Sequence, residues 1–245
     1  MDPIARLPAA AQGVAYAVLA GLVLVSLNAV MRLVTLEMDV YQAQFLRYLM
    51  GLVVMLPFIL REGIGAYRPN GVAGQAWRGV VHTLGLTLWF TALPHIPLAD
   101  LTALGFTTPL FIMLGAIIFL GERSRWQRWL AAGIGFLGVI IVVAPNLAGS
   151  GGYYNLIMLA SAPLFAASFL ITKALTRRDT PQVIVAWQAI TVSIFSLPLA
   201  LPGWAWPGLE VWLMLVFCGV LGSMGHFCMT RSFMLADISA TQPLK

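Results

Sequence analysis

Two histidines stand inside otherwise apolar stretches, His82 in "RGVVHTLGLTLWF" and His226 in "LGSMGHFCMT". An imidazole titrates near neutrality, so either ring could carry a coupling proton or touch a solute. The plainer role for both is a neutral ring bonded to a neighbouring helix. Arg47 lies six residues past Tyr41, about 9 Å into a helix. It could contact an anion or work in a gate. Otherwise it snorkels to the surface or pairs with Glu37 or Asp39. Pro109 removes a helix hydrogen bond and frees a carbonyl one turn earlier. Thr107 and Thr108 beside it could offer hydroxyls to a ligand or simply fill the kink. Asn28 and Ser168 could hydrogen-bond a solute or join helices to each other. Trp89 and Phe165 could stack on a planar solute or pack in the bundle. Asp100 and Asp237 read as caps of the stretches they open, each suited to the positive helix end. Glu122, among arginines, reads as an interfacial pair.

These residues do not form a catalytic set. There is no serine–histidine–acid order, no glycine-rich phosphate loop and no metal-ligand spacing. We therefore expect no enzyme, cofactor or metal. Cys218 and Cys228 are ten residues apart, about 15 Å along one helix, too far to pair with each other.

The elements that hold these residues must lie in a membrane. Of 245 residues 60% are hydrophobic and only 9% charged, whereas soluble domains are nearer one quarter charged. About 20 apolar residues cross the hydrocarbon core. Eight such stretches run near 12–32, 41–60, 76–93, 100–120, 126–144, 155–174, 182–201 and 211–235. They are continuously apolar without period-two alternation, which predicts helices. With the N-terminus inside, eleven basic residues fall on the cytoplasmic side: Arg6, Arg61, Arg68, Arg78, Arg123, Arg125, Arg128, Lys173, Arg177, Arg178 and Arg231. Arg32 alone falls outside, so the charge bias predicts a cytoplasmic N-terminus. His82 then sits a few residues from the cytoplasmic edge, and His226 sits deeper. The scattered charge makes no stripe for nucleic acid. Gly133, Gly135 and Gly138 in "AGIGFLG" read as a close-packing face.

The chain also repeats itself. At an offset of 141 residues, Ala15–Tyr41 lies on Leu156–Gln182, with Arg32 meeting Lys173 and Thr35 meeting Thr176. "RYLMGLVVMLPF" from Arg47 lies on "QAITVSIFSLPL" from Gln188. After a four-residue slip, "LADLTA" (Leu98–Ala103) meets "LADISA" (Leu235–Ala240). The first unit, 1–145, holds five stretches. That odd number inverts the second unit, 146–245, in the membrane. Inverted repeats are the architecture of secondary transporters, with the solute near mid-membrane between the halves. The second unit stops as its fourth stretch begins, so the natural chain is expected to continue through two more helices.

The runs "PLADLTALGFTTPLFIMLGAIIFLGER" and "LADISATQPL" resemble the drug/metabolite transporter superfamily, specifically its EamA-type members. In that family a small-residue entry precedes a proline in the fourth and ninth helices, and Gly-Glu-Arg closes the fourth, here Gly121-Glu122-Arg123. The resemblance implies an all-α membrane fold of five plus five inverted helices, with eight full helices and the start of a ninth in this chain. It implies that helices one, three, four, six, eight and nine surround a cavity. It also implies alternating-access transport of an amino acid, nucleobase, vitamin or similar metabolite across the bacterial plasma membrane. The partners expected are a small-molecule substrate and the lipid bilayer, with a homodimer left open. The rival expectation is a polytopic membrane protein that keeps the fold without transporting, either an embedded enzyme or a scaffold subunit.

Overall fold

A computed structural model describes residues 8–121, 126–146 and 151–238. Glu122, Arg123, Arg125, Arg6 and the end of the second "LADISATQPL" lie outside the described residues, as does the Arg128 side chain. Nine α-helices are present among those described: α1 Ala9–Glu37, α2 Val40–Glu62, α3 Val72–Ala92, α4 Leu98–Gly105, α5 Thr108–Leu120, α6 Trp126–Val143, α7 Gly151–Leu175, α8 Pro181–Ala200 and α9 Leu209–Leu235. Together α4 and α5 make one broken span, so the eight expected stretches are all found. Six are long and apolar enough to cross a membrane, with Leu98–Leu120 taken as one. The apolar run of α6 is shorter, Trp129–Val143. α3 is diluted by Gln75, Arg78 and His82, all buried.

Local chemistry sets the helix ends. The Asp39 carboxylate accepts from the Tyr41 and Gln42 amides and caps α2, satisfying donors that a helix start leaves free. Pro181 opens α8, where its missing N–H costs nothing. Gly121 closes α5 in the left-handed conformation at φ 68°. The break between α4 and α5 falls at Phe106–Thr107, and Pro109 sits in the first turn of α5. The cap position of α4 is Pro97, without a side-chain capping bond, and Asp100 lies buried in the first turn instead. Asp100 is thus not the cap residue the sequence suggested.

The helices pair across the two halves. α1 packs on α9 and α3 on α7, while α2 and α8 pack together and each also meets α9 or α3. These contacts exchange with one another when the repeat units are swapped. Equivalent side chains repeat the pattern. Arg32 Nη1 donates to the carbonyls of Leu93 and Ile96, and Lys173 Nζ donates to those of Phe233 and Ala236. Thr35 Oγ1 donates to the Arg32 carbonyl and Thr176 Oγ1 to that of Lys173. A cation near the end of each half's first helix therefore holds the chain at or just before its "LAD" segment.

At one end of the bundle, the connector after α2 meets the connector after α7. Asn70 donates to Asp179 Oδ1 and to the Arg178 carbonyl, and Gln75 Nε2 donates to Asp179 Oδ2 at 2.9 Å. Arg61, Arg68, Arg177 and Arg178 are exposed. Arg78 is not a loop charge: it is fully buried within α3. Its stretch begins earlier than hydropathy suggested, at Val72.

The described residues hold no partner for the glycine face of α6. A Cβ added at Gly133, Gly135 or Gly138 meets nothing within 4 Å among the described residues. A close approach to backbone lies at Gly219 of α9, where a Cβ would stand 2.8 Å from the Met50 carbonyl carbon of α2.

Candidate functional site

A cavity of about 240 Å³ opens between α1, α2, α3, the broken α4–α5 span, α7 and α9. Its walls are mostly apolar and aromatic, with Trp89, Phe90, Phe106, Phe165 and Phe169 among them. Its polar groups are few: Asn28, Arg47, Tyr48, His82, Thr102, Thr108 and His226. That combination of an apolar body with a small set of convergent polar groups is the usual make-up of a small-molecule site. Five of the six expected spans contribute, and α2 joins them through Arg47 and Tyr48. Of the expected ninth span, only its first residues are described.

The polar end is built as a chain of buried hydrogen bonds. It starts at Arg78, whose Nε donates to Thr172 Oγ1 (2.6 Å), Nη1 to the Ile184 carbonyl (3.0 Å) and Nη2 to Gln188 Oε1 (2.7 Å). A guanidinium only donates, so it fixes which end of the Gln188 amide is oxygen. The amide nitrogen must then face His82 Nε2, at 2.7 Å. Nε2 of His82 is therefore an acceptor, and its Nδ1–H donates to Ser168 Oγ at 3.0 Å. Tyr48 O–H also reaches His82 Nε2, at 3.0 Å. Arg78 thus sets the tautomer of a histidine it does not touch.

His226 is held more loosely. Its Nε2 faces Arg47 Nη2, Tyr48 Oη and Gln188 Nε2, each at 3.5 Å. These are at the long limit of hydrogen bonding. The two imidazole centroids are 5.6 Å apart.

The sequence candidates separate into two groups. Asn28, Trp89, Thr108, Pro109, Phe165, Arg47, His82 and His226 line the cavity. Thr107 does not: its hydroxyl turns back to the Leu104 carbonyl at 2.6 Å and fills the kink. Ser168 does not line it either, but bonds His82 from behind. Arg47 neither snorkels nor pairs with Glu37 or Asp39. It is 6% exposed, lies with Cζ 4.1 Å from the Tyr48 ring centroid and turns toward His226. His82 is not near an edge. It stands ten residues into α3, about 15 Å along the axis, and is 1% exposed.

Sequence reading missed Tyr48, Arg78 and Gln188. Gln188 carried a signal, because the repeat places it on Arg47. These two equivalent residues both meet His226.

The model of the EamA-like transporter family matches residues 11–144 and again 152–244. A riboflavin transporter of Rhizobium johnstonii is 33% identical over 234 residues, covering 94% of this chain and 77% of the relative. An S-adenosylmethionine uptake transporter of Rickettsia bellii is 28% identical, covering 84% and 70%. One solved crystal structure superposes with a TM-score of 0.72 at 19% identity, covering 94% of this chain and 83% of that one, and so shares the fold.

Proposed function

The chain belongs to the EamA-like transporter family, and from that premise we propose that it carries a flat heteroaromatic metabolite across the bacterial plasma membrane by alternating access. The observation that carries this reading is the aromatic-walled cavity at the seam of the bundle. Both named relatives move solutes with a flat heteroaromatic ring system, riboflavin and S-adenosylmethionine. Two halves, 1–145 and 146–245, rock about the cavity. The matched cation anchors at Arg32 and Lys173 support that division. A cytoplasmic N-terminus is supported by Arg61, Arg68, Arg177 and Arg178, which gather where the α2–α3 and α7–α8 connectors meet.

Saturable riboflavin flux in proteoliposomes tests the reading. If neither riboflavin nor any other flat heteroaromatic solute of a broad panel moves, the reading is wrong. Trp89 and Phe165 are proposed to stack on the solute. Trp89→Ala is expected to raise KM about three- to tenfold, the worth of one aromatic contact, with kcat nearly unchanged.

Of the two histidines, His226 is the proposed proton carrier. Both ring nitrogens of His82 are engaged at 2.7–3.0 Å, whereas the His226 Nε2 contacts to Arg47, Tyr48 and Gln188 are each 3.5 Å. Flux through His226→Gln is expected to lose its dependence on pH between about 5 and 8. A pH profile that survives the substitution removes the proton role.

A further inference from the structure

The cavity wall carries a positive charge that no carboxylate among the described lining residues neutralises. Arg47 has five N–H donors, yet its guanidinium makes one hydrogen-bond contact, the 3.5 Å approach to His226. Nη1 is buried with no hydrogen-bond partner among the described residues. No Asp or Glu occurs among the described residues that line the cavity. Beside Arg47 lies a void of about 20 Å³, bordered by Gly51, Gln188, Gly222 and Ser223, which is room for a single water. Arg78 is the useful contrast. It is the same residue type, also buried, with Nε, Nη1 and Nη2 all bonded to protein. Arg78 is used up as an anchor, while Arg47 keeps most of its bonding capacity at the wall of a solute site.

We infer that Arg47 selects the charge of the solute. The site takes flat aromatic metabolites that bear a carboxylate or a carbonyl-rich edge, and it rejects those bearing a cationic group. The inference rests on the cavity being the transport site. A carboxylate matches the guanidinium fork and satisfies the idle donors. A cation meets a like charge where water screens little. Neutral carbonyl-rich rings such as riboflavin fall between the two, and sulfonium solutes such as S-adenosylmethionine are disfavoured.

Three indoles of one shape test this by calorimetry on the purified protein: indole-3-acetate, indole-3-acetamide and tryptamine. The acetate is expected to bind at least tenfold tighter than tryptamine, with the acetamide between, since hydrogen bonds to charged groups are worth that much. Arg47→Gln should bring the three within about threefold, and Arg47→Lys should keep the order. Tryptamine binding as tightly as the acetate overturns the inference, as does an order that survives Arg47→Gln. If Arg47→Gln does not fold, the wild-type order decides alone. Acetamide binding weakened by Trp89→Ala upholds the cavity as the solute site even when the charge order fails. If none of the three binds, both the site and its charge preference are refuted.

Discussion

Arg78→Met is expected to lower the thermal midpoint of the detergent-purified protein by about 10 °C or more. Arg78 is fully buried and donates from α3 to both α7 and α8. Removing one member of such a network leaves buried acceptors unmet, at a cost of roughly 3–5 kcal/mol, and for a chain of this size each kcal/mol moves the midpoint by about 2–4 °C. Function should suffer beyond stability. With Arg78 gone, the Gln188 amide is free to turn and no longer dictates the His82 tautomer. Arg78→Lys keeps the charge but not the fork, so an intermediate loss is expected. The double change Arg78→Met with Gln188→Leu removes both polar partners and should regain part of the stability while leaving flux impaired. A midpoint for Arg78→Met within about 2 °C of wild type would show that the network is not an anchor.

Gly219→Val is expected to separate α2 from α9. An added Cβ would stand 2.8 Å from the Met50 carbonyl carbon and 2.9 Å from its oxygen. The obstacle is backbone, which cannot step aside as a side-chain tip can. Small residues at a membrane interface exist to allow such approach. Overpacking costs of about 1–3 kcal/mol are expected for Ala, with more for Val. Arg47 lies one turn from Gly51, and His226 lies two turns from Gly219. Opening this contact therefore pulls apart the two cavity groups now 3.5 Å apart. Thermal midpoint and riboflavin flux should fall together in Gly219→Val. Gly133→Ala and Gly135→Ala on α6 should alter neither, because their added Cβ meets nothing within 4 Å among the described residues. Equal effects at Gly133 and Gly219 would refute this account.

Glycine spacing shows a helix face and not its neighbour. "AGIGFLG" has the spacing of a packing face, but spacing does not say what stands opposite. Gly219 sits in "CGVLGSMGH", which looks no different by composition, and only the arrival of α2 distinguishes it. Arg78 misled for a related reason. Its position beside Trp77, near the end of an apolar stretch, is what an interfacial loop charge also shows. Thr107 and Ser168 take the plainer of the two roles open to them. Each proved to spend its hydroxyl on the protein, one on its own kink and one on His82.

The sequence by itself determined the membrane class, the eight stretches, an interruption of the fourth near Pro109 and the duplication. These follow from hydropathy, proline chemistry and self-similarity, which are local or one-dimensional properties. Only the tertiary structure decided which polar residues meet. Arg78 reaches Gln188 across 110 positions and His226 approaches Arg47 across 179. Hydrogen bonds of that range depend on which helix faces lie together, and apolar periodicity is nearly blind to this in lipid, where the outer face of a helix is as apolar as its inner one.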